Sequence, residues 1–191
     1  MSDFTSVMNE MRDHHKSAIG QNGVQRFMPS SGKLQTFLGG ARRGSVSKEV
    51  NEVLAKLKLK AQSLAQDECI SIRNGLISAA EDFKKSTGDA AAVGHFQQAL
   101  EKQRAAAKQG VSQSIDILYD EAISLGEQYP QAQGSLMGLL DQVGEMLCDM
   151  LMRLSGFIGE FGDRIVESIG DTWEWLKEFW GNIFSRICSW F

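Results

Sequence analysis

Proline is nearly absent from this sequence, with only Pro29 and Pro130 in 191 residues. Long stretches therefore carry nothing that would stop a helix. Cysteine is scarce as well: Cys69, Cys148 and Cys188 are odd in number, lie far apart and form no CxxC pair. That pattern argues against a disulfide framework, fits a reducing compartment, and reads each cysteine as a small buried apolar side chain. There are three histidines, His14, His15 and His95. Neighbouring histidines cannot share one helical face, and no cysteine or acid completes a zinc-ligand spacing, so no metal site is expected.

Other absences narrow the function. No apolar run approaches the roughly 20 residues a simple membrane-spanning helix needs. The first residues, MSDFTSVMNEMRDHH, hold acids and no apolar core, so no signal peptide is read there. The expected location is cytoplasmic or at an intracellular membrane. No GxSxG elbow and no HExxH helix occurs. The cluster Gly39, Gly40 and Gly44 lacks the GxxxxGK[ST] pattern of a phosphate loop. The expectation is a protein that is not an enzyme and takes no cofactor. A net charge of -4 also disfavours nucleic acid as a bulk partner.

What the sequence does contain is helical periodicity. Phe4, Val7, Met8 and Met11 recur at spacings of three and four, which predicts a short first helix capped by Ser2 or Asp3. Six glycines and Pro29 between Gly20 and Gly44 argue against a long regular element there. The same stretch is basic, with Arg26, Lys33, Arg42 and Arg43 and no acid between Asp13 and Glu49. These four residues are candidate contacts for an anionic surface, lipid or weakly bound nucleic acid. The simpler reading is a solvated loop.

From Ser45 or Ser47 a long helix is expected, with Val46, Val50, Val53, Leu57, Leu64, Leu76, Ala80 and Phe83 on its apolar stripe. The stripe weakens at Asp67 and Glu68, where a kink or a change of partner is anticipated. Ser86, Thr87 and Gly88 end this helix, and Asp89 opens a second block that runs to about Gln128. Gly110 either breaks that block or only weakens it, and Pro130 closes it. The predicted fold is therefore all-α, a bundle of long amphipathic helices with an extended, aromatic-rich C-terminal segment. Its divisions are residues 1–44, an N-terminal helix and glycine-rich basic arm; 45–130, the bundle core; and 131–191, the amphipathic C-terminal region.

The last sixty residues differ in character. Leu136, Leu140, Val143, Leu147, Met150, Leu154, Phe157 and Phe161 make an a/d seam over roughly three and a half heptads. Leu139, Met146 and Leu151 broaden it towards a bundle helix. Asp141, Glu145, Asp149 and Arg153 form a polar rail four residues apart, of which only the last pair attracts. Beyond Gly156, the apolar face comprises Ile158, Phe161, Ile165, Ile169, Trp173, Leu176, Trp180, Ile183 and Ile187. Trp175 and Phe179 flank it, Phe157, Phe184 and Trp190 join the candidate contact set, and all four tryptophans fall in this segment. Gly156, Gly159 and Gly162 recur every third residue and suggest a close helix contact or an interfacial insertion.

Large aromatic area of this kind suits a lipid interface or a subunit contact. These residues are the candidate membrane or subunit contact. The expected protein is a homo-oligomer that associates with or perturbs a lipid bilayer through its C-terminal segment. The alternative is a soluble structural, coat or adaptor protein whose C-terminal face packs on other copies.

Overall fold

The computed structural model describes residues 3–19, 21, 27, 48–86, 90–167, 178–183, 185 and 189. Four α-helices run through them: α1 (Asp3–Ala18), α2 (Lys48–Lys85), α3 (Ala90–Gln128) and α4 (Gln133–Glu167). Residues 178–183 form a further helical turn and a half. No strand occurs among the described residues, so the all-α fold class holds. At 1.5 Å per residue the three long helices each extend roughly 50–60 Å.

α1 is the helix its spacing predicts, with Phe4, Val7, Met8 and Met11 buried. The buried stripe runs on to His15 and Ala18, four and seven residues beyond Met11, in step with the 3.6-residue repeat.

α2 continues straight through Asp67 and Glu68 to Lys85. Its middle face consists of Ala61, Ala65 and Cys69, all fully buried, while Leu64 is only partly so. The apolar stripe is therefore not interrupted there. It narrows to small residues, which bring the neighbouring backbones close. Ser86 ends the helix as expected, its amide and its hydroxyl both donating to the Phe83 carbonyl.

α3 likewise passes through Gly110 without a break. Lacking a side chain, Gly110 admits the carboxylate end of Glu68 from α2. Burial and the neighbouring charge of Asp67 push the Glu68 carboxyl above its ordinary range. The reversal into α4 is short: Tyr129, then a 3-10 turn at Pro130–Ala132. The Gln133 side chain closes it by donating to the Gly126 carbonyl at 3.0 Å.

α2 and α3 pack along one another, and α4 packs on both. α4 is apolar on most sides, burying among others Leu136, Leu140, Leu147, Leu151, Leu154, Ile158 and Phe161. Burial on that scale marks an interior helix and not a surface one. α1 lies on α3 and α4. No described helix is long and apolar enough to cross a membrane.

Candidate functional site

The candidate C-terminal contact face can be followed residue by residue. Phe157, Ile158, Phe161, Ile165, Trp180 and Ile183 are all buried within the single chain. Ile169, Trp173, Leu176, Phe184, Ile187 and Trp190 lie outside the described residues. So do all four candidate anionic-surface residues, Arg26, Lys33, Arg42 and Arg43.

Three of the buried six, Phe157, Phe161 and Trp180, belong to a chain of rings that crosses the bundle. Phe83 of α2 stacks on Phe96 of α3 with centroids 4.9 Å apart. Phe96 meets Phe161 of α4 at 6.1 Å. Phe161 and Phe157 follow one turn apart at 5.9 Å. Phe157 stacks on Phe179 at 3.5 Å and takes Trp180 edge-on at 5.9 Å. The turn at 178–183 is thus clasped to the α4 stem by aromatic contacts. Geometries of this type add about 0.5–1.5 kcal/mol per pair beyond the area they bury.

One polar atom in the clasp lacks a partner. Trp180 is 4% exposed, and its indole Nε1 has no hydrogen-bond acceptor among the described residues. The glycine triplet does not act as a unit either. Open space surrounds Gly156, Gly159 has only Arg104 near it, and Gly162 alone is pressed by another helix, through Leu100.

A second site escaped the sequence reading, which treated the histidines only as failed metal ligands. The His15 side chain is fully buried between α3 and α4. Its Nδ1 lies 2.8 Å from the Tyr119 hydroxyl, and its Nε2 faces Asp141 Oδ1 at 3.6 Å. The Cys148 thiol donates to the His15 carbonyl at 3.4 Å. The imidazole rests against Gly144 of α4, where any side chain would collide with it. The arrangement suits a neutral ring that accepts from Tyr119 and presents Nε2–H to Asp141. Burial, and then repulsion from His14, push the His15 pKa down to about 4. The Tyr119 hydroxyl moves upward, through burial and the nearby Asp141.

Asp141, His15 and Tyr119 form a polar row across the α1 contact, and the ring is sealed from solvent. Burial drives the Cys148 thiol up to about 11, and burial with Glu68 drives that of Cys69 up to about 12. Neither thiol is a nucleophile at neutral pH. Among the described residues no group of three or more metal-ligating side chains occurs.

The signal that would have found this cluster was in the sequence. His15 continues the Phe4, Val7, Met8, Met11 stripe, and that phase places it inward. Its partners stand 104 and 126 positions further along the chain, so no local pattern names them.

One slot at the α2–α3 hairpin end, about 430 Å³, is lined by Ala79, Asp82, Phe83, Ala92, His95, Phe96 and their neighbours. It is half open, and Ser86 also lines it. No family model matches this sequence, and no curated protein or solved structure shows significant similarity to it.

Proposed function

We propose that the protein is an oligomer-forming helical protein that associates with membranes through its C-terminal amphipathic aromatic segment. The observation that carries this reading is Trp180, an almost fully buried indole whose N–H is left without an acceptor among the described residues. A buried orphan donor costs about 1–3 kcal/mol. That cost is relieved at a bilayer interface, where indoles keep an apolar body in lipid and a wet N–H. The clasp to Phe157 is then a stored form of the segment, held by ring contacts.

A second reading is favoured by charge. Between Gly156 and Phe191 six acids stand against three bases, giving -3, and anionic lipid repels such a segment. A subunit contact carries no such penalty, and a second chain would also supply an acceptor for Trp180.

The test compares the wild type with a Trp173→Ala/Trp180→Ala double variant. Flotation with neutral phosphatidylcholine liposomes and light scattering without lipid are measured side by side. Loss of flotation with unchanged self-association supports membrane contact. Loss of self-association with unchanged flotation supports the subunit contact. Wild-type behaviour in both, with a collapsed melting temperature, would mean the aromatic rings serve only the protein's own core, and would overturn the proposal.

A further inference from the structure

We propose that protonation of His15 releases α1 from its seat on α3 and α4, so that the N-terminal helix is an acid-operated latch on the bundle. The inference goes beyond the membrane reading and is tested without lipid.

The seat is built around the imidazole. Gly144 leaves room for the ring, Tyr119 places a hydroxyl on Nδ1, and the side chain is wholly removed from solvent. A second proton changes this site in two ways. It puts a cation where no water can follow, and it turns Nδ1 from an acceptor into a donor facing a hydroxyl that had been donating.

The charged and titratable groups around the ring come from all three helices. On α1 are Arg12, His14 and Lys16. On α3 are Asp116, Tyr119 and Asp120, and on α4 are Asp141, Cys148 and, one turn beyond Asp141, the half-buried Glu145. Most are already engaged: Arg12 pairs with Asp120 at 2.6 Å and Lys16 with Asp116 at 2.5 Å. Asp141 favours the imidazolium, whereas desolvation and His14 oppose it. At 3.6 Å the carboxylate lies beyond a normal hydrogen bond from Nε2, and desolvation prevails.

The ring belongs to α1, whereas α2, α3 and α4 also pack directly on one another. Other polar ties of α1 include Thr5 to Glu127, Arg12 to Asp120 and Lys16 to Asp116. They lie towards the surface, where solvent screens them, whereas the buried imidazole has no solvent to take up a charge. With the ring's pKa at about 4 when α1 is docked and about 6.5 when free, docking weakens about twentyfold between pH 7 and pH 5.

The experiment is hydrogen–deuterium exchange of the full chain at pH 7 and pH 5, corrected for intrinsic exchange, on wild type, His15→Gln and His14→Gln. Peptides covering residues 3–18 should lose about twentyfold in protection at pH 5, while those covering 133–167 keep theirs. His14→Gln should keep the pH response in a weaker form, because burial of the ring remains while the repulsion from His14 is removed, and His15→Gln should show no pH response in α1. The proposal is overturned if α1 protection is unchanged or rises at pH 5, or if all helices lose protection together. It also fails if His15→Gln keeps the response. Should that variant not fold, the His15 ring is titrated by NMR in the wild type. A ring that stays neutral to about pH 5 while α1 is docked supports the latch, and one that charges at 6.5 or above in the docked state sinks it.

Discussion

Gly144 and His15 occupy space that only a glycine and a flat ring can share. A methyl group at position 144 would meet the imidazole, so Gly144→Ala should destabilise the protein by about 1–3 kcal/mol through overpacking. Gly138 lies on the same helix with nothing within 4 Å of where a Cβ would stand. There the gain in helical propensity acts alone, and Gly138→Ala should stabilise by up to about 1 kcal/mol. Thermal melts of the two variants should shift in opposite directions; a shared direction would mean that the ring does not sit on Gly144. The cysteines allow another test at this scale. In a Cys188→Ser background, the buried Cys69 and Cys148 should resist an aromatic disulfide reagent at pH 8 and both react once denaturant unfolds the chain. Prompt labelling of the native protein would show that the α2 and α4 faces open readily.

Among the elements, α1 is held chiefly by its apolar face. Its ion pairs have at least one partly exposed partner, and such pairs contribute under about 1 kcal/mol each. Met8 is fully buried, so Met8→Ala should cost about 2–5 kcal/mol. Exchange protection of residues 3–18 should therefore survive 1 M salt but fall sharply in Met8→Ala. Stability should also depend on pH through this helix. The folded state binds fewer protons at His15 than the unfolded chain does. Its contribution is therefore full above pH 6.5, declines as pH falls, and is lost by about pH 4. The loss amounts to at most about 3 kcal/mol. Denaturant titrations at pH 7, 6 and 5 measure the slope, and His15→Gln should flatten it.

The elements also show how far local pattern reaches. Ser86 and Pro130 mark helix ends because a hydroxyl donating back to the Phe83 carbonyl, and a ring that turns the preceding residue out of the helical region, act within a turn of the chain. The middle of α2 was not legible in the same way. Ala61, Ala65 and Cys69 form a weak hydrophobic signal, and their burial depends on a partner backbone drawing close.

Across the whole molecule, a line of aromatic rings links α2, α3, α4 and the turn at 178–183. The bundle should outlast the loss of its last link, because α2, α3 and α4 pack directly on one another. A Phe179→Ala/Trp180→Ala variant should keep a predominantly helical circular dichroism spectrum while binding more of a hydrophobic dye, through the uncovered Phe157. Loss of helical signal would make the clasp part of the folding core instead.

By itself the sequence determined the helical class, the stripe of α1, most of that of α4 and the helix ends at Ser86 and Pro130. All of these follow from interactions spanning three or four residues. Only the tertiary structure decided what those stripes face. It turned Phe157, Phe161 and Trp180 inward on the chain's own bundle, although their composition suits a membrane or a partner equally well. It also brought His15 against Tyr119 and Asp141 across more than a hundred residues. Periodicity fixes which way a side chain points relative to its own helix. Which other helix lies there is set by the packing of the entire chain, and desolvation at that contact is what disfavours the charged form of the His15 imidazole.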